Sequence, residues 1–255
     1  MNFSLSAEQE LLQSTVRDFA AKECPPQAVH AVFDGEREAV AALWRGLAEI
    51  GVAGLVVPEA HGGAGLELLE LALVAEELGR GAVPVPFLGH ALATLELDGA
   101  PAELLGADTA QRVVDAGCVL LAADAFGAAH RLVRATAAYL QTRQQFGQAL
   151  AQFQALKHQL ANMALEVDPT RGLWWYAAHA FDHVPAEASR AAALAKAHIT
   201  DRAQQAARDA VEAHGGIGFT WECDVHLWFK RVMFDRLWLG GPELHRERYA
   251  ALEGW

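Results

Sequence analysis

The chain has 255 residues, 53% of them hydrophobic, with 20 Lys and Arg against 32 Asp and Glu and a formal net charge of −12. That content is ample for a substantial core in one or two domains, and the acidic balance excludes a global field drawing the chain to nucleic acid or to an anionic membrane. Three scattered cysteines, Cys24, Cys118 and Cys223, form no C-x-x-C, which argues against a disulfide framework or a zinc ribbon and suits a reducing cytoplasm.

Glu8 and Glu10 stand where a signal peptide would carry basic residues, and no later stretch is expected to stay apolar long enough to span a bilayer. Ser6 with Gln9 reads as a capping box, and Leu11, Leu12, Val16, Phe19 and Ala20 recur at helical spacing. This predicts a first helix to about Lys22, stopped by Cys24-Pro25-Pro26. A second covers roughly Glu36 to Ile50 with Gly51 as its C-terminal cap. The piece VAGLVVPEAHGGAGL is broken by Pro58, Gly62, Gly63 and Gly65 and must contain a loop. A third helix, about Leu66 to Leu78, is apolar on most of its circumference and so belongs at the centre of a bundle. PFLGHALATLEL gives a fourth, and the polar stretch from about Asp98 to Asp115 is the candidate boundary.

From Cys118 to about Arg143 a long alanine-rich helix is expected, ending in RQQFG. Phe153, Leu156, Leu160, Met163 and Val167 mark the next, Asp168-Pro169 opens another, and Pro185 opens one that runs to His214. In HGGIGFTWE, Gly215, Gly216 and Gly218 either end that helix or expose successive N–H groups able to cradle an anion. A last pair covers about Glu222 to Leu239 and Pro242 to Leu252. No alternating run of strand length occurs, so the fold class is all-α, as an N-terminal helical domain over residues 1–105 and a C-terminal helical bundle over 116–255. His179 and His183 lie four apart, but no third ligand has metal-site spacing, and no metal is expected. Trp174, Trp175, Tyr176, Trp228, Trp238 and Trp255 read as core or interface.

VPEAHGGAGL at 57–66, YLQTRQQFGQALAQFQALKHQLANM at 139–163 and HGGIGFTWECDVHLWFKRV at 214–232 together resemble the acyl-CoA dehydrogenase family, and the FTWE variant resembles its branch in steroid and cholate side-chain breakdown. The resemblance spans nearly the whole chain. It implies FAD, an acyl-CoA substrate, and oxidation of an acyl thioester to its 2-enoyl form, a carboxylate taking the α-proton while hydride passes from the β-carbon to flavin. It also implies a homo- or hetero-oligomer in which Arg143, Gln145, Phe146, Gly215, Gly216 and Gly218 reach the pyrophosphate and adenine end of a neighbour's FAD.

The sequence departs from the family in three places. The family has a β-barrel domain of ~100 residues where only the short polar stretch stands here, so the β-domain is absent. The catalytic Glu position falls on Leu239, and the alternative base position falls on Gly117; Asp124, two turns along the same helix face, is a possible substitute, and Glu243 reads as a helix-start carboxylate. Glu212 replaces the Gln that normally precedes the glycine corner, placing a negative charge near a pyrophosphate site. The expectation is a subunit of a heteromeric FAD-dependent acyl-CoA dehydrogenase whose partner, a β-domain-containing homologue, supplies the base and shares the flavin. The alternative is a non-redox homo-oligomeric structural or regulatory module, or a CoA-thioester lyase, on the same scaffold.

Overall fold

A computed structural model describes residues 4–96 and 107–255. Helix α1 (Ala7–Glu23) starts at the expected capping box: the Ser6 hydroxyl accepts from the Gln9 N–H, and the Gln9 side chain accepts from the Ser6 N–H. An unexpected helix follows at once, α2 (Pro26–Phe33), because Pro26 occupies its first turn, where no backbone donor is needed. Helix α3 (Arg37–Glu49) ends before Gly51, whose φ of 92° suits glycine. The apolar piece after it forms two short 3-10 turns, Val52–Gly54 and Glu59–His61.

Helix α4 (Leu68–Arg80) is central as expected, with Leu68 and every residue from Leu71 to Gly79 buried. That set includes Glu76 and Glu77. Arg17, Arg80 and Arg171 hold their carboxylates at 2.7–3.0 Å, as buried charge requires. Helix α5 (Phe87–Glu96) precedes α6 (Ala107–Thr142), which begins well before the expected Cys118. Residues 97–106, which include the first half of the candidate boundary, lie outside the described residues, whereas 107–115 belong to α6 rather than to a linker.

Contrary to expectation, α6 is long and apolar enough to cross a membrane by length and composition; 83% of its most apolar window is buried inside the fold, so that apolarity serves the core. Helix α6 packs most extensively against α9 (Pro185–His214) and α4. Gly79 and Gly127 permit the α4 approach, since a Cβ there would stand 2.1 Å from the Asp124 carbonyl oxygen and 1.9 Å from that of Glu76. Helices α7 (Gln154–Val167) and α8 (Arg171–His183) flank this centre, and α10 (Val225–Leu237) and α11 (Pro242–Glu253) close the chain. The 168–170 segment with Pro169 is a 3-10 turn leading into α8, and α10 is shorter at both ends than expected. Buried residues of both halves form one hydrophobic cluster. The described strands are two of two residues each, so the all-α reading stands.

Candidate functional site

The Arg143 N–H still makes the helical bond to Tyr139 at 2.9 Å, after which the chain turns into a hairpin. Its strands, β1 (Gln144–Gln145) and β2 (Gln148–Ala149), pair Gln145 with Gln148, leaving Phe146 and Gly147 as a two-residue turn with φ of 54° and 80°. Positive φ at both positions is what the twist of a tight hairpin selects, and glycine meets it freely. Phenylalanine does not: left-handed backbone costs a side-chain-bearing residue about 1–2 kcal/mol. Burial does not offset that cost within the chain, because Phe146 is 90% exposed, with one edge contact to Phe153. Gln145 is exposed beside it, and the Arg143 guanidinium is exposed and meets no acceptor among the described residues.

The glycine corner is a 3-10 turn, Gly215–Phe219, at the end of α9. Its three glycines have different causes. Gly215 has φ 67° and ψ −148°, open only to glycine, and a Cβ on Gly218 would lie 2.5 Å from the Val211 carbonyl oxygen. Gly216 has neither constraint: a Cβ there meets nothing within 4 Å, so no contact among the described residues requires glycine. Ile217, Phe219 and Trp221 are exposed around it.

Tyr139 joins the two motifs. It lies one turn before Arg143, its ring stacks on His214 at 4.2 Å between centroids, and its hydroxyl donates to the His214 carbonyl at 3.4 Å. Burial lowers the His214 pKa, so the ring is neutral, with Nδ1 2.7 Å from the Ala210 carbonyl oxygen. The structure therefore brings Arg143, Gln145, Phe146, Gly215, Gly216 and Gly218 to one end of the bundle, all but Gly218 exposed. Glu212 is there too, exposed and accepting only a long 3.5 Å bond from Gln159.

At the other end of α6, Leu239 and Gly117, the two positions that the resemblance aligns with the family's base, meet although they are 122 residues apart in sequence. Leu239, at φ 57°, follows α10, and its Cδ1 lies 2.4 Å from where a Gly117 Cβ would stand; Leu92 Cδ1 is 3.4 Å from the same point. The position is filled with hydrocarbon, and neither residue can exchange a proton. Asp124 is no substitute. It is buried and held by Arg231, whose Nε and Nη2 each donate at 2.6 Å while Nη1 donates to the Val83 carbonyl. Glu243 sits in the first turn of α11, where its own backbone N–H and Arg236 hold its pKa below the ordinary carboxylate value.

Sequence reasoning passed over Lys196 and Asp235. Fully buried Lys196 donates to the carbonyls of Asp235, Arg236 and Gly240 at 2.6, 3.1 and 3.1 Å, so it caps α10 and anchors the loop carrying Leu239. Burial pulls its pKa down to about 8. A lone lysine among the alanines of AALAKAHIT was the available signal.

The family model for the acyl-CoA dehydrogenase N-terminal domain matches residues 6–102, and that for the C-terminal domain matches 105–252, so the two matches are separated by only two residues. Acyl-CoA dehydrogenase IpdE2 of Mycolicibacterium smegmatis is 32% identical over 316 residues, covering 98% of this chain and 99% of that protein. Its namesake in Mycobacterium tuberculosis is 32% identical over 294 residues, covering 88% and 91%. Each alignment is longer than this chain, so both relatives carry residues without a counterpart here. Among solved structures, a Tcur3481-Tcur3483 steroid ACAD variant superposes with a TM-score of 0.88 at 22% identity, covering 97% of this chain and 98% of that one. The ChsE4-ChsE5 complex from Mycobacterium tuberculosis gives 0.86 at 20%, covering 100% and 99%. At these identities the likeness is one of fold.

Proposed function

Since the chain belongs to the acyl-CoA dehydrogenase family, we propose that it is the non-catalytic subunit of a heteromeric, cytoplasmic FAD-dependent acyl-CoA dehydrogenase, one acting on a steroid-derived acyl thioester. The observation that carries this reading is the closed contact of Leu239 with Gly117, which leaves no proton acceptor at either base position. Its partner, a β-domain-containing homologue, supplies the base and the pocket around the flavin ring.

The residues at the exposed end fit the outer part of a shared FAD. Arg143 offers a guanidinium with no acceptor among the described residues, suited to a phosphate oxygen. The open space over Gly216 admits close approach by a group from outside the chain. Gln145 offers an amide beside them, and exposed Phe146 seats against the partner, where burial offsets its backbone cost. Bound FAD supplies the hydride acceptor; this chain's part is to bind and orient it.

Expression alone, and co-expression with a β-domain-containing acyl-CoA dehydrogenase homologue, test the proposal by native mass and flavin absorbance. The expected outcome is colourless protein alone and a yellow complex. Stoichiometric flavin on the chain alone overturns it. A specific observation, the exposed Glu212 carboxylate beside the corner, favours a second reading as a non-redox oligomeric module. A stable complex that stays colourless and is inactive toward acyl-CoA would establish that reading instead.

A further inference from the structure

A cavity of about 430 Å³ opens where the second half of α1, the Pro25-Pro26 turn, the end of α4, the middle of α6 and α10 meet. Arg143, the corner glycines, Gly117 and Leu239 do not line it, so it is separate from both ends of the site described above. Ala21, Pro25 and Pro26 give it an apolar wall, and the charged residues that line it are Arg17, Glu77, Arg80 and Arg131.

The cavity is opposite in sign to the chain. Three arginines against one glutamate leave its lining at +2, whereas the whole chain stands at −12. Distant acidic residues do not cancel this, because charges are largely screened beyond about 10 Å at ordinary ionic strength. Asp18, exposed next to Arg17 in sequence, acts on it electrostatically but does not line the cavity.

Only part of this positive charge is committed. The Glu77 carboxylate is fully buried and already saturated: Oε1 accepts from Arg17 Nη2 at 2.7 Å, and Oε2 accepts from Arg17 Nε at 3.0 Å and from Arg80 Nε at 2.9 Å. Arg80 spends its other nitrogens on Glu76 and His130. Arg17 keeps Nη1 without an acceptor among the described residues, and 47% of its side chain is exposed. Arg131 is exposed too, and lies over the Trp228 ring at 5.5 Å, a contact that leaves its N–H groups without acceptors among the described residues. Solvent-reachable guanidinium donors from α1 and α6 thus meet one cavity whose carboxylate is already taken.

Such donors pair best with carboxylate or phosphate oxygens. We propose that this cavity binds a compact organic dianion, a dicarboxylate or a phosphate monoester, whose charged groups take the unused donors of Arg17 and Arg131 while its carbon body lies against Ala21, Pro25 and Pro26. Two negative charges rather than one match the two guanidinium groups and the net charge of the lining. The assignment stands independently of whether this chain contacts FAD.

The test is ligand-observed NMR titration of the full chain, alone or in its co-purified complex, at low ionic strength and about pH 8, where phenyl phosphate is doubly ionised. Phenyl phosphate and isophthalate are compared with benzoate, which has the same ring and a single charge. At least one dianion is expected to bind at least about threefold more tightly than benzoate. A preference for phenyl phosphate shows both guanidinium groups converging on one anionic group, and a preference for isophthalate shows them standing apart; either supports the proposal. Arg131→Gln breaks no ion pair and is expected to remove the preference, whereas Arg134→Gln, exposed on α6 outside the cavity, is expected to keep it. No binding of either dianion, a smaller preference in the unmodified chain, its survival in Arg131→Gln or its loss in Arg134→Gln would each overturn the proposal.

Discussion

The two ends of α6 treat the family's functional positions in opposite ways. At Gly117 the chain has closed the space with Leu239 and Leu92; roughly 40 Å along the same helix axis, Arg143 and the hairpin stand exposed, with Phe146 in costly backbone geometry. A position with no further role collapses into the core, because hydrocarbon contact is favourable there. A strained position persists where surrounding structure holds it, and on the proposed reading that support for Phe146 comes from outside the chain. On the proposed reading, the difference is between function kept at a face that meets a neighbour and function given up where chemistry would occur within the chain.

The largest expected effect tests whether Asp124 is structural. Asp124→Ala leaves the mostly buried Arg231 without its carboxylate partner and is expected to lower the unfolding free energy by about 3–5 kcal/mol in chemical denaturation. A loss below ~1 kcal/mol would reopen the case for Asp124 as a free acid. Next, Arg143→Ala is expected to weaken flavin retention by the co-expressed complex roughly tenfold to a hundredfold, read by flavin release on dilution. The melting temperature of the chain alone is expected not to move, because Arg143 has no partner among the described residues.

A smaller effect concerns the middle of α6. His130 accepts from Arg80 at 2.9 Å, and burial, with Arg80 beside it, pulls its pKa from 6.5 to about 4. The folded value lies below the unfolded one, so the stabilisation is fully present above about pH 6.5 and is lost as pH falls through about 4. After allowance for partial exposure the loss is on the order of 1–2 kcal/mol, and His130→Gln flattens that part of a stability-versus-pH curve. The smallest effect sharpens the contrast between the ends: Phe146→Gly is expected to stabilise the isolated chain by on the order of 0.5 kcal/mol while weakening its association with the partner. An isolated chain destabilised by this change would show that the strain is offset internally.

Much of the fold was legible because its signals are local. Ser6 with Gln9 starts α1, Gly51 ends α3, Pro185 opens α9, and the apolar circumference of 68–79 places α4 at the centre. Pro25-Pro26 hides α2 in the sequence, since the same prolines that stop α1 also open the next helix. The candidate cofactor residues were legible as motifs. Their assembly was not, because the stack of Tyr139 on His214 joins side chains 75 residues apart.

By itself the sequence determined the all-α class, most helix boundaries and the family, since periodicity, caps and motifs are properties of neighbouring residues. Only the tertiary structure decided that Leu239 and Gly117 fill one position, that Asp124 belongs to Arg231, and that buried Lys196 holds the end of α10. The physical reason is that a side chain's chemistry depends on what packing places against it, and here the deciding neighbours lie on other helices far along the chain.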